Sequence, residues 1–214
     1  MLKNVRIIFS KTGRAKYVSH LDLVRTMTRA VRRAAIPLWY TEGFNRHPYL
    51  TFAAPLSLGY EGLRESMDIR LEEDMDYAEL VARLNEVLPE GIRAVEAAEI
   101  VAKAKDLTAA VYRLDISCSA ACAKELLSSS EILVEKRTKK KTMKTMDIRP
   151  YFASAVVEKA EEDKCVMMVT LPCGSAENIN PALFIAALES HCDAKIDADI
   201  LRLQLLLADG NEFL

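Results

Sequence analysis

Along this chain, stretches whose apolar residues recur every second position give way to stretches where they recur every third or fourth, and that switching predicts the elements. Asn4 to Phe9 alternates as a strand and leaves through a turn at Lys11-Thr12-Gly13-Arg14. Ser19 followed by Asp22 is a capping-box variant that opens a helix to about Ala35, with Leu21, Val24, Met27, Val31, Ala34 and Ala35 on one buried face. Pro37 ends it and introduces a strand at Leu38-Trp39-Tyr40. Gly43 to Pro48 then form a loop, Tyr49 to Ala53 a second extended piece, and Met67 to Leu71 a strand. Asp76 with Glu79 caps a second helix, apolar at Tyr77, Leu80, Leu84, Val87 and Leu88 and stopped by Pro89-Glu90-Gly91. Ile92 to Ile100 closes the first half.

The same order returns. Val111 to Ser117 is a strand, Ser119 starts a short helix to about Leu127, and Ile132-Leu133-Val134 is a strand entering a lysine-rich stretch. Ala155 to Lys159 and Cys165 to Leu171 form a hairpin across an acidic turn, Asn180 caps a helix with Pro181 in its first turn, and Ile196 to Leu207 is the last strand. Two β-α-β-β-α-β units predict an α+β fold of two tandem ferredoxin-like (βαββαβ) sandwiches, each a four-stranded antiparallel sheet with both helices on one face. The domains expected are residues 1–105 and 106–214, with the linker inside Val101 to Ala110.

Charge changes the picture more than composition does. The 214 residues are half apolar and 28% charged, which is ordinary for a globular chain and excludes a wholly disordered or collagen-like one. The net charge of −2 conceals a strong polarity: residues 1 to 46 carry ten Lys and Arg against Asp22 and Glu42, and residues 136 to 149 carry seven against Asp147. Concentrated basic surface on an otherwise acidic chain attracts polyanions, nucleic acid first among them. On a helical wheel Arg25, Arg29, Arg32 and Arg33 fall within an arc of about 100° opposite the apolar face. The bland interpretation is a solvated helix side. Against it, like charges at i, i+4 repel, and a polyanion would relieve that repulsion.

No run of about 18 apolar residues suggests a membrane helix, and the N-terminal residues enter a strand pattern directly, so a soluble cytoplasmic protein is expected. Five irregularly spaced cysteines fit a reducing compartment. Cys165, Cys173 and Cys192 with His191 lack metal-ligand spacing, so no metal site is expected. No Walker A, G-x-G-x-x-G, G-x-S-x-G or H-E-x-x-H pattern occurs, which argues against independent enzymatic activity.

The runs Phe9-Ser10-Lys11-Thr12-Gly13, Tyr17-Val18-Ser19-His20-Leu21-Asp22, Arg29-Ala30-Val31-Arg32-Arg33-Ala34, Ile36-Pro37-Leu38, Gly43-Phe44-Asn45-Arg46-His47-Pro48 and Pro55-Leu56-Ser57-Leu58-Gly59, with Asp147-Ile148-Arg149-Pro150-Tyr151 later, closely resemble the radical-SAM-linked protein family. This is a bacterial group of unknown function, encoded beside or fused to a radical S-adenosylmethionine enzyme and often near genes for ribosomal proteins and an RNase. The resemblance implies a partner rather than a reaction. Any iron-sulfur cluster and S-adenosylmethionine are expected in the partner enzyme, not in this chain. Arg46 departs from the family pattern, in which a proline is more common. Cys118-Ser119-Ala120-Ala121-Cys122 begins like a C-x-x-x-C-x-x-C cluster motif, but Glu125 stands in the third cysteine's place.

Together, charge, motifs and resemblance make the expected function that of an RNA-binding accessory protein for a radical SAM enzyme, in RNA modification or ribosome-related metabolism, with ribosomal or transfer RNA as the candidate. Its expected RNA contacts are Lys11, Arg14, Lys16, Arg25, Arg29, Arg32, Arg33, Phe44, Asn45, Arg46, Lys139, Lys140, Lys141 and Lys144, with His47 and Tyr49 also able to meet bases. One alternative is a module that docks the radical SAM partner. Another is a metal-independent endoribonuclease in which His20 and His47 meet as acid and base; the milder view of the two is that His20 bonds backbone at the helix start and His47 orders its loop.

Overall fold

A computed structural model describes residues 2–137 and 143–214. Its first half runs β1 (Lys3–Lys11), α1 (His20–Arg33), β2 (Leu50–Phe52), β3 (Glu61–Leu71), α2 (Tyr77–Val87) and β4 (Ile92–Glu99). The second runs β5 (Leu107–Ile116), α3 (Ala120–Ser128), β6 (Leu133–Arg137), β7 (Met143–Asp147), β8 (Val156–Glu161), β9 (Lys164–Pro172), α4 (Ala182–Cys192) and β10 (Ala198–Leu207). Helix starts follow the expected chemistry. Ser19 Oγ accepts from the Asp22 N–H at 3.2 Å and Asp76 Oδ1 from the Glu79 N–H at 2.9 Å, each satisfying a donor the first turn leaves free.

At the far end of α1 the chain turns through Ala35, which has φ 50°, a left-handed conformation that its Cβ disfavours. Pro37 follows directly. Ala35→Gly should therefore stabilise the protein by about 0.5–1 kcal/mol, read as a higher thermal midpoint of the purified variant. No gain would mean that the turn carries no such strain.

Seven strands form one path in the order β4-β1-β3-β10-β5-β9-β8, and β2 pairs with β3 beside it. Every pairing is antiparallel except β3 with β10, which run parallel through Glu61–Leu201 and Gly62–Arg202. Each half thus orders its strands alike, β4-β1-β3-β2 and β10-β5-β9-β8, but the two expected sheets are a single sheet. The reason lies in β3. It starts at Glu61, six residues before the expected Met67, and this polar extension, where Glu61, Arg64, Glu65 and Ser66 mask the alternation, is the part that meets β10. The boundary expected between residues 105 and 106 falls in a short 3-10 turn, Ala104–Asp106.

Leu38-Trp39-Tyr40, expected as a strand, makes only the isolated bridges Leu38–Leu71 and Tyr40–Pro48. The strand expected at Ile132 to Val134 lies in a separate β6–β7 hairpin off the main sheet, and β8 takes the place in the sheet. Asp147 fastens this hairpin: its Oδ1 accepts from the Ile132 N–H at 2.8 Å and the Arg149 N–H at 2.9 Å, bonds that hold the carboxyl below the usual carboxylate range. Because the folded pKa is depressed, this contribution is present above the usual carboxylate pKa and is lost as pH falls through the folded value. Asp147→Ala should lower the thermal midpoint at neutral pH, with the gap to wild type closing below about pH 4. A gap independent of pH would remove the proton linkage.

Two hydrophobic cores lie under the helices. Phe9, Met27, Val31, Met67, Ile69, Leu80 and Leu84 belong to the first, and Leu114, Ile116, Phe152, Met167, Phe184 and Leu188 to the second. Glu65 shares its strand face with Met67 and Arg202 with Ile200, and these two polar side chains pair with each other, so both cores lie on the same face of the sheet. On the opposite face the buried Arg6 donates to both carboxylate oxygens of Asp68, at 2.7 and 2.9 Å, and to the Ala102 carbonyl at 2.9 Å, with the Phe213 ring 3.8 Å over its guanidinium carbon. Cys122 and Cys192 join α3 to α4 as a disulfide, a pairing that the odd cysteine count did not anticipate; Cys118, Cys165 and Cys173 are free. No helix among the described residues is long and apolar enough to cross a membrane.

Candidate nucleic-acid interface

The apolar face of α1 is fixed by Leu23, Met27, Ala30 and Val31, all buried, which leaves Arg25, Arg29, Arg32 and Arg33 on the other side. Arg25 pairs with Asp22 at 2.9 Å, a contact that, after the Ser19 hydroxyl, keeps the Asp22 carboxyl below its ordinary value. The guanidinium of Arg32 lies 5.5 Å over the Tyr40 ring. Arg29 and Arg33 have no ion pair among the described residues. Arg32 and Arg33 also occupy the last turn, where cations are favoured by the helix dipole.

Tyr40 carries this surface onward. It bridges Pro48, while the Thr41 N–H donates to the His47 carbonyl at 2.9 Å and the Tyr49 N–H to the Trp39 carbonyl at 3.1 Å, so residues 39–49 form a narrow ribbon. Gly43 turns its tip with φ 120°, open only to glycine. His47 Nδ1 lies 3.2 Å from Thr41 Oγ1 and 3.1 Å from the Asn45 carbonyl, which ties the tip internally. Phe44, Asn45 and Arg46 project into solvent, Phe44 fully exposed. A bare phenyl ring beside arginines can stack on a base while the guanidinium groups take phosphates.

Several expected contacts lie elsewhere. Lys11 is 1% exposed and its ammonium donates to the Lys16 carbonyl at 3.3 Å; burial pushes its pKa down, and no polymer reaches it. The turn expected at Lys11 is instead the end of β1, opposite Gly62 of β3, which is what buries the side chain. Lys16 is committed to Asp199 at 2.6 Å, a contact across the two halves that raises its pKa. Arg14 is exposed in the 3-10 turn Gly13–Tyr17, and Lys144 is exposed on β7 in the second half. Lys139, Lys140 and Lys141 lie outside the described residues.

The two histidines are not brought together. His20 packs edge-on to Phe52, ring centroids 5.3 Å apart, whereas His47 is held in the ribbon tip. No hydrogen bond or ring contact joins His20 and His47 among the described residues. Among the described residues no cluster of three or more His, Cys, Asp or Glu side chains is arranged to hold a metal ion.

One group went unread in the sequence. Arg70 of β3 lies against two neighbouring rings, 4.8 Å from the Trp39 centroid and 4.7 Å from that of Tyr49, and its Nε donates to Asn4 Oδ1 at 2.9 Å. The available signal was symmetry: Trp39 and Tyr49 are equidistant from the ribbon tip and therefore cross-strand neighbours.

Among the described residues, fold and surface define an α+β protein with a mostly antiparallel main sheet, a separate β6–β7 hairpin, four helices and an exposed arginine surface beside an aromatic-tipped ribbon. The chain belongs to DUF2344, described as an uncharacterized protein conserved in bacteria, whose family model matches residues 4–181. No curated protein matches it. A chain from the crystal structure of a Cbf5-Nop10-Gar1 complex aligns with a TM-score of 0.52 at 9% identity, covering 94% of this chain and 48% of that one. The present chain thus spans about half of that neighbour, and the likeness is one of α+β fold. An unknown protein from Galdieria sulphuraria aligns over 94% of this chain and 99% of its own at 11% identity, with a TM-score of 0.28.

Proposed function

We propose that the protein is an RNA-binding accessory factor that grips phosphates with α1 and contacts unpaired bases with the 39–49 ribbon, and that it serves a radical S-adenosylmethionine enzyme. The observation that carries the RNA reading is the meeting, through Tyr40, of Arg32 and its neighbours Arg29 and Arg33 with a tip that exposes Phe44, Asn45 and Arg46. Arginine suits this role because its planar fork pairs phosphate and stacks on bases. The radical SAM partner rests on the sequence resemblance, and so does the placement of that enzyme's cluster and S-adenosylmethionine outside this chain. We read each half as a ferredoxin-like unit, which the shared strand order supports.

The test is the salt dependence of binding to a structured RNA. Affinity should fall steeply between about 50 and 200 mM salt, as counterions released from phosphates are regained. Binding that is flat with salt sinks the reading.

One observation favours a second role, docking of the partner protein. Tyr17, Leu21 and Leu58 are exposed near the start of α1, and the Gly59 N–H donates to the Lys16 carbonyl, which sets Leu58 beside Tyr17. Co-purification with the radical SAM enzyme that survives nuclease treatment and reversal of the α1 charges would assign the association to such a surface.

A further inference from the structure

The sheet face away from the helices bears a cleft of about 620 Å³, within the range of small-molecule sites. Its floor is made by Asn4 and Arg70, which alternate with the core residues Val5 and Ile69, and by Thr51 of β2; Tyr49, Val101 and Lys103 form its walls. Three features give it a chemistry. Arg70, packed against the neighbouring Trp39 and Tyr49 rings and bonded to Asn4, makes a rigid aromatic and guanidinium platform of the kind on which a planar ring stacks. Asn4, whose carbonyl oxygen is taken by Arg70, keeps its amide donors. Asp68, also at the cleft, is locked by the buried Arg6 and offers carboxylate lone pairs. These are a donor and an acceptor at fixed positions, suited to the edge of a base and hostile to a phosphate. At the rim the exposed Lys103 supplies the cation that a phosphate needs.

Tyr49 links this cleft to the surface already described, since the ribbon it ends carries Arg32's partner Tyr40 and the exposed Phe44 at its tip. The ribbon therefore touches α1 through Tyr40 and lines the cleft through Tyr49. We propose that the cleft binds one unpaired ribonucleotide, its base on the Tyr49–Arg70 platform and its phosphate at Lys103, as the single-stranded continuation of the RNA held by α1. The proposal rests on the RNA-binding reading and specifies which feature of the RNA is selected.

A blunt RNA hairpin, the same hairpin with a five-uridine 3′ tail, and free uridine monophosphate distinguish the possibilities. The wild type should bind the tailed hairpin at least about tenfold tighter than the blunt one. The paired exposed substitutions Val101→Asp and Lys103→Glu should abolish that difference while leaving blunt-hairpin binding unchanged, and Tyr49→Ala should independently abolish it. The paired variant keeps the test open should loss of Tyr49 disturb folding. A 4-thiouridine placed in the tail should crosslink to peptides containing Tyr49 or Val101, and not to α1. A tail that adds no affinity, or a gain that survives both variants, overturns the proposal while leaving RNA binding by α1 intact. Uridine monophosphate bound by the wild type with no effect of the tail overturns the RNA strand as the source. Failure of either hairpin to bind overturns the underlying reading along with this one.

Discussion

Glu65→Ala should cost about 3–5 kcal/mol of stability, the largest loss expected from any single substitution in this chain, measured by urea unfolding. The Glu65 and Arg202 side chains are 4% and 3% exposed, and the carboxylate accepts from both Nε and Nη2 of the guanidinium. Arg202 also donates to the Ala54 carbonyl at 2.6 Å. Burial works against the Arg202 cation, and Glu65 more than offsets it, so the guanidinium is held charged. Lys11 is buried nearby, and the same carboxylate supports its charge while Arg202 opposes it. Removing Glu65 therefore strands two cations at the junction of the halves. Replacing both partners with methionine should cost far less, within about 2 kcal/mol of wild type, because apolar pairs of similar volume fill such sites without a desolvation penalty. A Glu65→Ala loss below about 1 kcal/mol would show that the pair does not hold the junction. Gly62 belongs to the same device, since a Cβ there would strike the Glu65 carboxylate.

Reversing Arg29, Arg32 and Arg33 together to glutamate should weaken RNA binding by roughly two orders of magnitude at moderate salt. The slope of log affinity against log salt should flatten by about 3, close to one unit for each phosphate that is no longer neutralised. These side chains lie outside both cores, so the fold should survive, with circular dichroism as the check. Arg83→Glu on α2 provides a control of the same chemistry at a different place, since Arg83 pairs with Glu79 on its own helix. The control should leave the slope unchanged. Equal affinity of the triple variant and wild type would assign RNA binding, if present, to another surface.

Helices were legible because their signals are local. Ser19, Asp76 and Pro37 act within a turn of their own positions, and the spacing of Met27, Val31 and Ala34 reports one buried face, whereas Leu21 and Ala35, expected on it, are exposed and Leu23 is buried instead. The arginine surface could be read for the same reason. Lys11 could not. Before Gly13 it has the look of a turn residue, and only the pairing of β1 with Gly62, far along the chain, reveals that it is covered. The single sheet was hidden for a related reason: Glu65 and Ser66 are polar yet point into the protein, satisfied or enclosed by residues of the other half or of neighbouring strands. Alternation cannot report a buried charge whose partner, Arg202, is distant in sequence. His20 and His47 show the converse: placement near the same helix and strand does not amount to contact, since His20 packs on Phe52 while His47 bonds Thr41 and the Asn45 carbonyl.

The joint between β3 and β10 also governs the order of assembly. β10 is the last strand made, yet it covers an edge of β3, and Phe213 beyond it closes over Arg6. A ribosome releasing this chain from its N-terminal end exposes that edge until β10 emerges, and an uncovered strand edge invites pairing with other chains. Premature stops after α4 should thus yield aggregates rather than a working first half, which ties delivery of the arginine surface to the synthesis of β10.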